Sequence, residues 1–233
     1  MAERPVFLPT CQGDLLVKTV TVKFQWFAGM AVSQKQKSVA SLHEAAISEG
    51  LCNRPLEISS KSSVSTGVAL SAFNLGAASP KNKKPFTVET AFQSSKVFEN
   101  GGPYRDLLYA TSREAKKDPR IQESGRLRQF DFFGATWALE PKTAFYDWLY
   151  INALSRNPDL MDDVISYDGF TDIEFNPERS INCQAYSLAL FKALQARNLL
   201  SDALRGKESF LEIVGYKVVS NAREDTTVQQ RLI

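Results

Sequence analysis

The chain has 233 residues, 43% hydrophobic and 23% charged, enough to bury a full core in one domain. A net charge of +2 excludes a globally basic protein that coats nucleic acid, so any nucleic-acid contact has to be local. The sequence contains no run of about 18 apolar residues, which excludes a membrane-spanning helix. Met1 to Cys11 lacks the apolar centre of a signal peptide, so a cytoplasmic location is expected. Cys11, Cys52 and Cys183 fit neither a zinc spacing nor a disulfide framework, and reduced thiols are the expectation.

Pro5 and Pro9 give the first ten residues an irregular look. Leu15 to Phe27 alternates as a strand or hairpin arm: Val20, Val22, Phe24 and Trp26 share one parity, and Thr19, Thr21, Lys23 and Gln25 the other. Ser33 to Glu49 reads as a helix with Val39, Leu42, Ala46 and Ile47 as its apolar positions and Gly50 beyond its end. His43, the only histidine, lies in that helix with nothing nearby to make a dyad or a metal site, and is read as structural. Pro55 to Ser62 suits a strand passing into a loop. Ser60 and Lys61 at its end are either phosphate or ribose ligands or ordinary loop chemistry. Gly76 to Pro85 has turn composition and carries Lys81, Lys83 and Lys84, which suit either solvation or a phosphate backbone.

Phe86 to Phe98 organises the rest. Thr87 is placed to cap a helix whose apolar residues are Val88, Ala91, Phe92 and Phe98, with Gly101-Gly102-Pro103 as the stop. Glu89, Gln93 and Lys96 then form one stripe along the edge of the apolar face. Such a stripe is either a solvated margin or three groups converging on a ligand laid across the helix.

Thr111-Ser112-Arg113-Glu114 is a capping box that opens a short helix ended by Pro119. Arg113, Lys116, Lys117, Arg120, Arg126 and Arg128 make this region basic, as a solvated face or an anion site. Phe130 to Phe133 and Trp137 form an aromatic patch, for core packing or substrate stacking. Pro141 suits the first turn of a helix running to about Leu154, in which Asp147, beside Trp148, reads as a solvated aspartate, with a site carboxylate as the alternative. Asn157-Pro158 opens another helix. From Gly169 to Pro177, alternation predicts a strand with Ile173 and Phe175 on one face and Asp172 and Glu174 on the other. Asn182 is placed to cap a helix from Cys183 to about Arg197, with Cys183 in its buried stripe, and Phe210 to Val219 reads as a strand.

The pattern Val88-Glu89, Gln93, Lys96, Phe98, preceded by Phe73-Asn74 within an aromatic segment, resembles the NADAR superfamily, which includes the YbiA-type N-glycosidases. The Ser33 to Ser38 segment is similar to the branch of NADAR antitoxins that accompany DarT-type DNA ADP-ribosyltransferase toxins. Ala115 to Arg120 resembles the family's Ala-x-x-x-Gly-Arg pattern with Pro119 in place of glycine. Glu174, Pro177 and Asn182 match its glutamate strand and following helix. The family's Asp-x-x-Trp-Gly insertion is replaced by Glu178-Arg179-Ser180, so its aspartate has no counterpart here and Glu174 or Asp172 has to cover that role.

The resemblance implies a single α+β, mainly helical NADAR-like domain with a few short strands: an N-terminal elaboration over 1–50, a core over 51–200 and a C-terminal extension over 201–233. It implies hydrolysis of ADP-ribose from guanine bases in DNA, single-stranded or with the guanine flipped out, with ADP-ribose as product, no cofactor or metal, and functional pairing with a DarT-type toxin. It also implies Glu89, Lys96 and Glu174 as catalytic residues, Lys96 either as a Schiff-base amine or as the partner that positions Glu89. Ser60, Lys61, Phe73, Asn74, Gln93, Arg120, Asp172 and Asn182 are implied as substrate contacts. The alternatives are an N-glycosidase of phosphorylated riboflavin-pathway intermediates and a non-catalytic module that binds ADP-ribose or the toxin.

Overall fold

Alternating residues near the N-terminus build the sheet on which the molecule is assembled. In the computed structural model, which describes residues 1–79, 83–178 and 180–215, β1 (Ala2–Pro9) and β2 (Val17–Phe24) pair antiparallel along their whole length. This corrects the irregular start expected from Pro5 and Pro9. β1 meets its second neighbour only through Phe7, opposite Phe170, so over most of its length it behaves as an edge strand, where proline is tolerated.

α1 (Val32–Ser48) covers one face of this sheet: Val39, Leu42 and Ala46 pack with Val6, Leu8, Val22 and Phe24. Phe7 and Val17, on the opposite parity, enter the larger core. β3 (Pro55–Glu57) joins the same sheet, and α2 (Ser65–Ala69) folds back against it. A Cβ at position 67 would collide with the Glu57 carbonyl oxygen, so this close approach requires Gly67.

β4 (Gly76–Ala78) and β5 (Pro85–Thr87) form a two-stranded ribbon that delivers the chain to α3 (Val88–Ser94). The helix is shorter than the apolar spacing predicted, because Lys96 to Phe98 is β6 (Lys96–Phe98) and pairs with a later strand. Sheet pairing of Val97 and Phe98 overrides the helical pattern. A 3-10 turn at Arg105–Tyr109 leads to α4 (Ser112–Lys117), capped by the reciprocal Thr111–Glu114 box, and then to α5 (Pro119–Glu123) with Pro119 in its first turn. β7 (Leu127–Phe132) and β8 (Ala135–Trp137) complete an antiparallel sheet in the order β6-β7-β8.

α6 (Ala144–Leu154) starts after Thr143, which adopts a left-handed φ of 69°, rather than at Pro141. α7 (Pro158–Asp163) follows Asn157, whose amide donates to the Gly76 and Ala153 carbonyls instead of capping the helix. β9 (Gly169–Thr171) closes the first sheet in the order β2-β1-β9-β3, antiparallel to β1 and parallel to β3. The longer alternating strand does not form: after Thr171 the chain turns, with Phe175 N–H on the Asp172 carbonyl. α8 (Gln184–Ala196) packs on the sheet face opposite α1 and against α6, which in turn packs on α3. α9 (Leu200–Ala203) and α10 (Lys207–Val214) end the described chain. α10 replaces the strand expected from Phe210. Its aromatic and aliphatic residues fall on one helical face, with Phe210 fully buried, and the rest of the expected strand lies outside the described residues.

The architecture is thus mixed α+β. Among the described residues no helix is long and apolar enough to cross a membrane.

Candidate functional site

Between α3, α4, α6 and the turn after β9 lies a cavity of about 810 Å³. Its central element is α3, in which every residue is buried. The Thr87 hydroxyl accepts from Thr90 N–H, and the Thr90 hydroxyl accepts from Thr87 N–H, closing the helix start. Val88 and Glu89 spend their free N–H groups on the Leu75 and Ala72 carbonyls, which docks the helix on the turn that carries Phe73. The Ser112 hydroxyl in turn donates to the Phe73 carbonyl, so α4 and α3 grip the same turn.

Glu89 and Gln93 are 6% exposed and not on a solvated margin. Gln93 Nε2 donates to Glu89 Oε1 at 3.0 Å, while Gln93 Oε1 is buried with no partner among the described residues. Lys96 stands on β6 beside them, its ammonium 4.9 Å from the centre of the Phe92 ring. Burial pushes Lys96 down to about 8. The nearby Glu89 charge opposes that shift and the Lys116 charge adds to it.

The facing wall comes from the turn after β9. Asp172 accepts from the N–H groups of Glu174 at 3.0 Å and Phe175 at 3.2 Å, and from Gln184 Nε2 at 2.9 Å. Burial raises Asp172 above the ordinary carboxylate range against these donors. Glu174 also lines the cavity but is exposed, so the two carboxyls differ in depth instead of sharing a strand face. Gln184 ties the walls together: its Oε1 accepts from Ala72 N–H at 2.7 Å and its Nε2 also donates to the Ile58 carbonyl.

Phe92 and Phe130 lie 5.3 Å apart and form an apolar floor with Phe145 and Tyr146. Lys61, Arg113, Lys116, Lys117 and Lys142 also line the cavity, and the Lys116 ammonium sits 5.1 Å from the centre of the Phe73 ring. The lining therefore combines three carboxyls, Glu89, Asp172 and Glu174, with several cations and an apolar floor.

Of the residues singled out in the sequence, Ser60, Lys61, Phe73, Glu89, Gln93, Lys96, Asp172, Glu174 and Asn182 all line this cavity. Asn74 and Arg120 do not. Asn74 Nδ2 donates to the Val68 carbonyl and the Ser71 hydroxyl and closes its own turn. Arg120 is held by Asp106 at 2.6 Å and Asp118 at 2.9 Å over the Tyr104 ring, because the proline at 119 starts a new helix and turns the guanidinium away. Asn182 is on the wall, but Cys183 takes the capping position of α8. Buried Cys183 and half-buried His43 play no part in the lining. Burial pushes His43 down to about 4, and its Nε2 lies 2.9 Å from the Thr171 hydroxyl.

Two buried carboxyls escaped the sequence reading. Asp147 was expected to be solvated. It accepts from Ser187 at 2.6 Å and from Thr143 at 2.7 Å, because the first turn of α6 lies against α8, and burial pushes it up to about 7. Glu57 alternates with Leu56 and Ile58, a pattern that marks a solvent face, yet both faces of its sheet are covered.

A family model described as the DarT1-associated NADAR antitoxin matches residues 2–224. No curated protein matches the chain.

Proposed function

The chain belongs to the family of DarT1-associated NADAR antitoxins, and from that premise we propose that it is a glycohydrolase that removes ADP-ribose from guanine bases in DNA, counteracting a DarT-type toxin. What supports the reading is the convergence of Glu89, Lys96, Asp172 and Glu174 on one cavity that Lys61, Arg113, Lys116, Lys117 and Lys142 also line. A ribose cation in the making needs anions beside it, and a diphosphate or a DNA strand needs cations around the mouth.

In this reading Glu89, held by Gln93, takes a proton from the attacking water as oxygen bonds to the anomeric carbon. The carbon–nitrogen bond breaks, and the departing guanine amine receives a proton from the Lys96 ammonium. Burial has brought Lys96 close enough to neutral pH to give that proton up. The Asp172 carboxylate offsets the positive charge on the ribose. Phe73, on the cavity wall beside Lys116, offers a face to a nucleobase that has left the stack.

The test is incubation of the full chain, and of Glu89→Gln, with an oligonucleotide ADP-ribosylated on guanine, following released ADP-ribose. Release by the wild type and its loss in the variant is the expected outcome. A folded wild type that binds the oligonucleotide and releases nothing would turn the reading into that of a non-catalytic binding module.

A further inference from the structure

Glu57 is fully enclosed, lies next to the cavity carboxyl Asp172, and has no role in the chemistry above. Its Oε1 accepts from Ser59 Oγ at 2.6 Å and from Ile173 N–H at 2.9 Å, and its Oε2 lies 2.7 Å from Thr171 Oγ1. Thr171 Oγ1 in turn lies 2.9 Å from His43 Nε2. A buried hydroxyl thus links this carboxyl to the only histidine of the chain.

We propose that Glu57 is a positioning residue, a neutral carboxylic acid whose O–H donates a hydrogen bond to Thr171 and whose neutrality leaves Asp172 as the single anion of the pair, facing the cavity. The argument is one of donors and acceptors. The described partners of Asp172 are two backbone N–H groups and the Gln184 amide. That amide cannot turn over, because its oxygen already accepts from Ala72 N–H and its nitrogen also serves the Ile58 carbonyl. All three partners donate, and none accepts a proton from Asp172. Glu57 differs at one position. Thr171 accepts a proton from Glu57 Oε2 provided its own hydroxyl hydrogen goes on to His43 Nε2, and burial keeps His43 neutral and able to accept. Two neighbouring carboxylates repel, so one proton is retained, and it settles on Glu57, which is shut in with an acceptor while Asp172 opens on the cavity.

The titratable groups around the pair leave this ordering in place. His43 from α1 completes the chain, Cys183 ahead of α8 and Tyr146 and Tyr150 from α6 stay protonated, and the Arg4 guanidinium from β1 favours the charge on Asp172. Glu174 lies on the cavity side of Asp172 and opposes that charge. Loss of the Glu57 proton reverses the chain: Thr171 then donates to Glu57 and accepts from a His43 that carries its hydrogen on Nε2.

His43 is the only histidine, so its imidazole is a single reporter. In the full chain labelled with nitrogen-15 in histidine, we expect hydrogen on Nδ1 and a bare Nε2 at pH 7. Raising the pH should convert this to the Nε2–H form. Glu57→Gln, whose amide donates to Thr171 at every pH, should stay in the Nδ1–H form, and Asp172→Asn should convert at lower pH than wild type. Nε2–H in the wild type at pH 7, or a tautomer indifferent to pH, overturns the assignment without requiring either variant to fold. The functional meaning of the Asp172 charge rests on the glycohydrolase reading, but the imidazole signal does not. Absent ADP-ribose release with an Nδ1–H histidine would sink that reading and leave this one standing.

Discussion

Gln93 gives its amide hydrogen to Glu89 and keeps its own carbonyl oxygen buried and unmatched among the described residues. A buried acceptor without a donor is costly, by about 1–3 kcal/mol, and a bound ribose hydroxyl or base N–H removes that cost. Gln93→Ala frees Glu89 and deletes the acceptor. It should lower kcat/KM for an ADP-ribosylated oligonucleotide by roughly tenfold or more, a loss on the scale of one such hydrogen bond. Steady-state release of ADP-ribose checks this; unchanged kcat/KM would remove Gln93 from the site.

Lys96 sets an alkaline limit. Its folded-state value of about 8 lies below the ordinary 10.5, so a reaction that needs its proton falls away as the pH rises through about 8. Lys96→Arg keeps its charge well beyond that range and should lose the alkaline limb, whatever its absolute rate. Stability moves the other way. Between about 8 and 10.5 the unfolded chain holds the proton that the folded one has lost, so wild-type stability gains with pH relative to Lys96→Met over that window. Urea unfolding at pH 8 and pH 10 measures the difference.

Asp147 gives the mirror case. Its folded-state value is raised from 3.8 to about 7, so the folded chain holds a proton that the unfolded chain has released. Its contribution to stability is greatest below the unfolded value and is lost as the pH rises towards about 7. Asp147→Asn keeps the contacts to Ser187 and Thr143 without the charge. It should match the wild type near pH 4 and exceed it at pH 8 by on the order of a few kcal/mol. A difference that does not change with pH would show that the carboxyl is ionised throughout.

Arg120 is committed to Asp106 and Asp118. Arg120→Ala should therefore leave KM within about twofold and lower the melting temperature by a few degrees, as loss of a small ion-pair network does. A large rise in KM with unchanged melting would restore the ligand role that the resemblance implies.

The parts legible in the sequence were those with local causes. The alternation of Val20, Val22 and Phe24, the Thr111–Glu114 box and the stop at Pro119 are decided within a few residues, and each is in place. Glu89 and Gln93 reach the cavity together, as helical spacing predicts, because both stand on α3. Lys96 lines the same cavity although it belongs to a strand, since the turn at Ser95 keeps it on the same side. What spacing could not show was set by distant chain. Glu57 and Asp147 look like solvent-facing carboxylates until α1 and α8 cover them, and Gln184 becomes the tie between walls only when the segments of Ala72, Ile58 and Asp172 meet at its side chain. Arg120 shows the reverse case, a motif residue that Asp106 and Asp118 hold away from the cavity.

α3 has no solvent face, and its consequence is kinetic as well as chemical. The amides that frame Glu89 and Gln93 should be among the slowest in the chain to exchange with heavy water, opening only when the whole molecule opens. A ligand entering this cavity then meets side chains already in place, and none of its affinity is lost to ordering the helix that receives it.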